Sequence, residues 1–251
     1  MVGSVAARSV AVVGAGGDPE PPEPLAGRPG AVVLFGDVAC PWATVVVLRL
    51  RAARAAVGLQ ATVPIVHLAH PLELLHGRPL CRRIIDAEVP ACAAASPDFG
   101  WSLWQGRLDE YPVSSLLATE AVQAARRQSE TAAEELDLAL RTALFVRSRC
   151  ITLRHEVLAA ARGCPSLDTD LLATALDEGV ARPAVTRQAA AARAGAAACS
   201  GYVVLPDGSG QCNPGVTTSW LGPRVPRGAP HVLDDEPDIY LKLVAAAAAA
   251  P

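Results

Sequence analysis

The sequence lacks a strong excess of charge of either sign. Its 251 residues include 22 basic and 25 acidic side chains, for a formal net charge of −3, and Lys242 is the only lysine. Nucleic-acid binding requires clustered positive charge, so this balance predicts no nucleic-acid partner. Apolar residues make up 51% of the chain and charged residues 19%. This composition excludes an intrinsically disordered protein.

Long apolar runs are also missing. None reaches the length of about 18 residues that a membrane-spanning helix requires. The N-terminal stretch SVAVVGAGG is preceded only by Arg8, and it is too short and too weakly charged for a secretory signal. We therefore predict a cytoplasmic protein with no membrane partner.

The cysteines form no recognisable pattern of pairs. There are seven, at irregular spacings and without a C-x-x-C motif, so neither a disulfide framework nor a zinc site is predicted. His67, His70 and His76 lie close in sequence, but a strand and the turn after it do not direct them to one ion. We expect mostly free thiols, as in a reducing compartment. Five cysteines are predicted to be structural: Cys81, Cys92, Cys150, Cys164 and Cys212.

The N-terminal half begins with a segment that cannot pack. Residues 1–29 are predicted to be a disordered tail, because GDPEPPEPLAGRPG is dense in proline and glycine. The β-branched run at residues 31–35 then indicates a buried strand. Pro41 suits a first helical turn and Gly58 a helix end, and residues 61–69 form a second apolar run. This order predicts a βαβ unit with parallel strands.

Helical patterns follow over residues 79–195. Within residues 120–149, apolar side chains recur every three or four positions, as on one face of a helix. Asp168 and Gly179 are the residue types that begin and end a shorter helix. We predict that this whole stretch is an all-helical insert.

Strand character returns after the insert. The segment GYVVLPDGSG carries Asp207-Gly208, a hairpin signal, and NPGVTTSWLG predicts a further edge strand. A final helix begins near residue 236. The chain is therefore predicted to be an α/β protein in which residues 30–78 and 196–251 form one domain around the helical insert.

Cys40 is the residue whose position points to chemistry. It stands in the sequence CPW, at the junction of the first strand and the first helix. Unpaired N–H groups and the positive end of the macrodipole stabilise a thiolate at such a helix start. We therefore predict a lowered pKa for Cys40 and a nucleophilic role, with Pro41 and Trp42 shaping the surface of attack.

These motifs resemble the DsbA-like thioredoxin family, in the branch that includes FrnE-type oxidoreductases and 2-hydroxychromene-2-carboxylate isomerases. The matching segments are GDVACPWA, HPLEL, ACAAASPDFGWSLW, VVLPDG and NPGV, which together span roughly residues 31–245. The resemblance implies a thioredoxin-like fold of βαβ and ββα halves with the helical insert. It also implies that Cys40 is the active cysteine.

The chain departs from the family pattern at two places. The family's redox motif is C-P-W-C or similar, but Ala43 occupies its fourth position, which leaves a monothiol. Alignment on VVLPDG puts Gly201 where the fold usually has a cis-proline. The peptide bond before Gly201 is expected to be trans, because a cis bond before a residue other than proline costs about 2.5–4 kcal/mol. The loop of Ser200, Gly201 and Tyr202 is predicted to face the substrate.

Three functions remain open at this stage. The first is a monothiol oxidoreductase that forms a mixed disulfide at Cys40 with a protein or small-molecule disulfide or thiol. Cys199 or an external low-molecular-weight thiol would then resolve this mixed disulfide. The second is an isomerase or transferase that uses such a thiol as its cofactor, with a pocket lined by Trp42, Trp101 and Trp104. The third is a binding protein without catalysis. No tightly bound cofactor and no metal are predicted, and the substrate and the oligomeric state stay open.

Overall fold

The structure is a computed structural model that describes residues 27–223 and 228–250. Most of the predicted tail, residues 1–26, lies outside the described residues. At its described end, Arg28 Nη1 donates a hydrogen bond of 3.0 Å to Glu130 Oε1. Residues 27–29 are therefore anchored to the helical insert.

The first half is the predicted βαβ unit. Strand β1 covers Val32–Gly36, helix α1 Pro41–Ala56 and strand β2 Ile65–Ala69. The two strands pair in parallel, with Val32 opposite Ile65 and Gly36 opposite Ala69. The β-branched and apolar residues of both strands are buried on both sides, as expected for parallel strands.

The middle of the chain is helical, as predicted. The amphipathic pattern of residues 120–149 belongs to two helices, because Ser129 starts a new one by accepting a hydrogen bond from the N–H of Ala132. Asp168 and Gly179 cap their helix as expected. The helices are α2 Leu72–His76, α3 Arg82–Ala95, α4 Leu116–Arg126, α5 Glu130–Phe145, α6 Arg154–Ala161, α7 Thr169–Glu178 and α8 Arg182–Ala191. Short 3-10 turns cover Pro97–Phe99 and Leu108–Glu110, and a π-helical turn covers Ala192–Ala196.

The C-terminal part contains two hairpins and a helix. The elements are β3 Tyr202–Val204, β4 Gly210–Cys212, β5 Val216–Leu221, β6 Ala229–Asp235 and α9 Ile239–Ala249. The hairpin predicted at Asp207-Gly208 joins β3 to β4. The strand predicted after it exists, but β5 pairs with β6 in a separate two-stranded sheet. Strand β6 was not predicted, because most of its side chains are exposed and it lacks an apolar run.

The larger sheet has the strand order β2-β1-β3-β4, with β1 antiparallel to β3. Alternate residues of β1 face opposite sides, as the period of a strand requires. Leu34 lies in one apolar cluster with Leu50 of α1 and Tyr240 of α9, whereas Phe35 lies in the apolar cluster on the other face. This is the thioredoxin-like arrangement of βαβ and ββα halves, so the predicted fold class is confirmed.

The helical insert has its own apolar core, and this core reaches the loop before α1. Leu136 and Leu140 of α5 lie in it together with Val38 and Ala39 of that loop. The insert therefore packs directly behind the segment that carries Cys40. No helix within the described part of the chain has the length and apolarity needed to cross a membrane.

Candidate active site around Cys40

Cys40 is the N-cap residue of α1, as the sequence predicts. Its Sγ accepts a hydrogen bond from the N–H of Ala43 at 3.5 Å, and Pro41 occupies the first helical position. The Cys40 side chain is 7% exposed, and the neighbouring Trp42 is also buried. The thiol thus meets a free backbone N–H at the helix start, but it does so inside the protein.

Asp37 organises the loop that ends at Cys40. It is fully buried, and its carboxylate accepts hydrogen bonds from the N–H of Ala39, the N–H of Leu72 and the hydroxyl of Ser115. Its own N–H donates to Ser200 Oγ at 2.9 Å. Burial raises the pKa of Asp37, and these hydrogen bonds and Arg141 offset part of the rise. Sequence reasoning took Asp37 only as the end of a strand.

Arg141 reaches the same loop from the insert. Its Nη1 donates to Thr44 Oγ1 at 2.9 Å and to the carbonyl of Asp37 at 3.1 Å, while Nε and Nη2 bind both carboxylate oxygens of Asp137. Burial acts to raise the pKa of Asp137, but the charge of Arg141 and the interactions with His67 outweigh it and lower that pKa. A buried arginine of α5 therefore fixes the backbone behind Cys40.

A cavity of about 360 Å³ opens in front of Cys40. Its lining comes from the start of α1, from the segment between β2 and α3 together with α3 itself, and from the residues that flank β3 and β4. The side chains with polar or reactive groups are Cys40, Trp42, His70, Glu73, His76, Arg78, Cys81, Glu88, Cys199, Ser200 and Asn213. The cavity thus brings the helix start and the predicted substrate-facing loop together.

The expected lowering of the Cys40 pKa is wrong for this structure. Burial raises the pKa of Cys40 to about 11, and the charges of Glu88 and, less strongly, Asp37 add to the rise. Hydrogen bonds from the Ser200 side chain and from the N–H of Ala43 act in the opposite direction but do not compensate. The helix N-terminus stabilises the thiolate as predicted, yet burial dominates.

The structure also corrects the assignment of two cysteines. Cys199 is bonded to Cys212, with a Cα–Cα distance of 6.0 Å, so neither is a free thiol. Cys199 was expected to be a free resolving thiol and Cys212 an isolated structural cysteine. The β3–β4 hairpin brings them together, because Tyr202 lies opposite Cys212 and Cys199 precedes Tyr202 by three residues. Cys40, Cys81, Cys92, Cys150 and Cys164 are free.

The three residues of the predicted substrate-facing loop differ in their positions. Ser200 lines the cavity, and its side chain hydrogen-bonds to Cys40. Gly201 lies against α1, since an added Cβ would come within 3.4 Å of Ala43 Cα, and it has a φ of +97°. Tyr202 belongs to β3 and pairs with Phe35. Of these three, Ser200 alone is among the residues that line the described cavity.

Three further cavity residues were not singled out for this site. His70 is buried, and its Nδ1 has no hydrogen-bond partner within the described residues. Burial is the main cause that lowers the pKa of His70 to about 4, and the charge of His76 adds to it. Glu88 raises the pKa of Cys40, and Cys81 is a half-buried free thiol at the N-cap of α3. For His70 and Cys81 the sequence signal is the clustering of histidine and cysteine at residues 67–81, whereas Glu88 lies outside this cluster.

Two other expectations concern tryptophans and metals. Trp42 lines the cavity, but Trp101 packs on Phe99 and Phe145, and Trp104 packs on Tyr111. The three-tryptophan pocket is therefore not formed. Within residues 27–223 and 228–250, no three histidine, cysteine or acidic side chains converge as metal ligands.

Comparison with solved structures identifies the fold. No model of a known protein family matches the sequence, and no curated protein matches it in sequence. A probable DsbA oxidoreductase from Streptomyces coelicolor has a structure that matches with a TM-score of 0.58 at 18% identity, over 86% of this chain and 89% of that one. The chain has a DsbA-like thioredoxin fold.

Two further structures share this DsbA-like fold. The cytosolic disulfide reductase DsbM from Pseudomonas aeruginosa is 16% identical, with a TM-score of 0.51 over 86% of this chain and 97% of that one, and a second structure of DsbM includes GSH. A 2-hydroxychromene-2-carboxylate isomerase is 14% identical, with a TM-score of 0.53 over 72% of this chain and 87% of that one. The fold resemblance thus includes the isomerase branch as well as the oxidoreductases.

Proposed function

We propose that this protein is a monothiol thiol–disulfide oxidoreductase whose nucleophile is Cys40. The supporting observation is that a DsbA-like fold holds one free cysteine at the N-cap of α1, in the wall of a cavity. The Cys40 thiolate attacks one sulfur of a disulfide R–S–S–R. This step forms Cys40–S–S–R and releases R–S⁻, which takes up the proton that Cys40 lost.

The substrate is a protein or small-molecule disulfide, and the release step needs a second thiol. Ala43 occupies the position of the family's second cysteine, and its backbone N–H instead donates to Cys40 Sγ. An external low-molecular-weight thiol therefore regenerates Cys40 by attack on the mixed disulfide. Trp42 and Pro41 form the cavity wall beside the attacking sulfur. We expect the protein to act in the cytoplasm without a tightly bound cofactor.

The test is the site of mixed-disulfide formation. Pure protein is incubated with oxidised glutathione at pH 9, and each cysteine-containing peptide is quantified by mass. Cys164 is a matched internal control, because it is buried, its pKa is also raised to about 11, and it lines a different cavity. We expect the adduct at Cys40 to form about tenfold faster than the adduct at Cys164, since thiol exchange depends on access as well as on thiolate.

Two variants complete this test. Cys40→Ser removes the adduct from that peptide, and Cys164→Ser leaves the rate at Cys40 unchanged. Equal rates at Cys40 and Cys164 in the parent protein would refute the proposal, because the cavity would then confer no reactivity.

A second candidate is an isomerase or transferase that binds a low-molecular-weight thiol without forming a disulfide. The observation in its favour is the pKa of Cys40, which keeps this thiol protonated at neutral pH. His76 and Arg78 on the cavity wall supply cationic or hydrogen-bonding groups for the carboxylates of such a thiol. Titration calorimetry with S-methylglutathione, which cannot form a disulfide, separates the two. Binding of S-methylglutathione that is lost in Arg78→Met, together with no adduct at Cys40 in the oxidised-glutathione test, supports this candidate.

A further inference from the structure

The wall that faces Cys40 carries a disulfide of its own. Cys199 immediately precedes Ser200, whose side chain hydrogen-bonds to Cys40. Cys40 and Cys199 both line the same cavity. The backbone also holds this loop close to α1, since Gly201 donates its N–H to the carbonyl of Phe35 at 2.8 Å and lies against Ala43. Cys40 and Cys199 therefore border the same cavity, and the residue after Cys199 contacts the Cys40 thiol.

The second cysteine of this disulfide, Cys212, lies in a more exposed environment. Cys199 is half-buried, whereas Cys212 lies on β4, whose three residues are all exposed. The side-chain amide of Asn213 donates to Cys212 Sγ at 3.7 Å, in a position to stabilise negative charge on that sulfur. The bond thus connects the cavity, where Cys40 lies, to the outer edge of the sheet.

We propose that Cys40, Cys199 and Cys212 form an intramolecular thiol–disulfide relay, with Cys212 as the surface thiol that exchanges with external partners. Cys40 Sγ attacks Cys199 Sγ, so a Cys40–Cys199 bond forms and the Cys199–Cys212 bond breaks. Cys212 leaves as a thiolate and takes up the proton that Cys40 lost. One disulfide is present before and after the step, so no oxidant is consumed.

The relay rests on the proposed function, since it uses Cys40 as a nucleophile. It also gives Cys40 two partner sulfurs, Cys199 and Cys212, in place of the second cysteine that Ala43 replaces. Cys81 lines the cavity and Cys92 lies in the same apolar cluster as Cys40, but both are free thiols. A free thiol cannot accept the attack of another thiol without an oxidant, so neither can substitute for the Cys199–Cys212 bond.

The first experiment follows the release of Cys212 in the intact protein. Protein prepared without reductant is incubated with iodoacetamide at pH 9, and alkylation of Cys212 is measured by peptide mass over time. We expect Cys212 to become alkylated while a Cys40–Cys199 linked peptide accumulates, and we expect this release to be about tenfold slower in Cys40→Ser. Equal release in both proteins would overturn the relay, because Cys212 would then be freed without Cys40.

The second experiment tests the contact itself. In Cys212→Ser, Cys199 is a free thiol, and the oxidant diamide is added to close the nearest pair. We expect a Cys40–Cys199 linkage, with Cys81→Ser in the same background as the matched control that leaves it unchanged. Linkage of Cys199 to Cys81 or Cys92, with Cys40 still free, would overturn the relay.

A third protein separates the relay from the function on which it rests. The double variant Cys199→Ser/Cys212→Ser has no relay, but it keeps Cys40. If oxidised glutathione still modifies Cys40 in this variant while the first two experiments fail, the relay is wrong and the proposed function stands. If Cys40 stays unmodified here and in the parent protein, the proposed function itself fails.

Discussion

Cys40 lies between two walls that are held together by different means. Behind it, Asp37 and Arg141 are buried and take part in at least seven hydrogen bonds of 2.7–3.1 Å, with the loop itself, with α1 and α2, with Ser115 and with Asp137. In front of it, the loop that contains Ser200 is held by the hydrogen bond from the Asp37 N–H, by backbone hydrogen bonds of Gly201 and by the Cys199–Cys212 bond. The rear wall therefore depends on buried charge, whereas the front wall depends on a covalent bond that thiols can open. We therefore expect reductants to affect the front wall more than the rear wall.

The largest effect is expected from the rear wall. Replacement of Arg141 by methionine leaves Asp137 buried without its charged partner, so Arg141→Met should lower the free energy of unfolding by about 3–5 kcal/mol. Urea denaturation measures this change. The control is Arg154→Met, because Arg154 pairs with Asp177 at the surface and both side chains are largely exposed. A loss no larger than that of the control would show that the rear wall does not depend on Arg141.

The front wall should respond to reductant. The disulfide closes a segment with a sequence separation of 13, and its loss should lower the free energy of unfolding by about 3 kcal/mol. Urea denaturation with and without dithiothreitol measures this in the parent protein. The double variant Cys199→Ser/Cys212→Ser should be insensitive to reductant and as stable as the reduced parent. If reductant leaves the parent unchanged, the covalent bond does not hold the front wall.

A smaller effect is expected at the contact between Gly201 and Asn213 in the front wall. Gly201 has a φ of +97°, and an added Cβ would lie 2.2 Å from Asn213 Oδ1. Gly201→Ala should therefore destabilise the protein by about 1–3 kcal/mol. Gly58→Ala is the matched control, since Gly58 also has a positive φ but nothing lies within 4 Å of its added Cβ. A cost no greater than that of Gly58→Ala would mean that crowding at this contact is absent.

The last prediction concerns the pH dependence of Cys40 reactivity, whose change per pH unit corresponds to the smallest free energy of the series. Because burial, Glu88 and Asp37 raise the pKa of Cys40 to about 11, the thiolate fraction should increase about tenfold per pH unit between pH 7 and pH 10. The alkylation rate of Cys40, read by peptide mass, should rise in the same proportion. In protein unfolded with guanidinium, the rate should level off near the ordinary thiol pKa of 9.0. A folded-state profile that levels off below pH 9 would contradict the raised pKa.

Glu88→Gln sharpens this measurement. Removal of the Glu88 charge should move the pH profile of Cys40 to lower pH, because that charge disfavours the thiolate. Arg83→Gln, an exposed change on the same helix, should leave the profile in place. The two variants together separate the contribution of Glu88 from that of burial.

The features predicted from the sequence are those with local causes. The βαβ unit, the hairpin at Asp207-Gly208 and the N-cap position of Cys40 follow from residues that are close in sequence. Arg141 could not be identified in this way, because 104 residues separate it from Asp37. Its charge looks the same in the sequence as that of any arginine on an exposed helix face.

The direction of the Cys40 pKa was missed for a related reason. The helix N-terminus is visible in the sequence, but the burial that outweighs it comes from Cys92 of α3 and from Val216 and Val232 of β5 and β6, which are distant in sequence. The Cys199–Cys212 bond was missed because spacing alone does not reveal it. The predicted hairpin could have indicated the bond, since its register brings Cys199 and Cys212 to the same end of β3.

The contact between Arg141 and the carbonyl of Asp37 has a consequence for synthesis on the ribosome. Cys40 emerges with the βαβ unit, whereas its support in α5 is made 101 residues later and Cys199 later still. Because chains begin to fold from the N-terminus as they emerge, the nascent chain presents Cys40 before either wall exists. At that stage its thiol has the ordinary reactivity of an unfolded cysteine. Burial of this thiol is therefore complete only after both the insert and the C-terminal strands have been made.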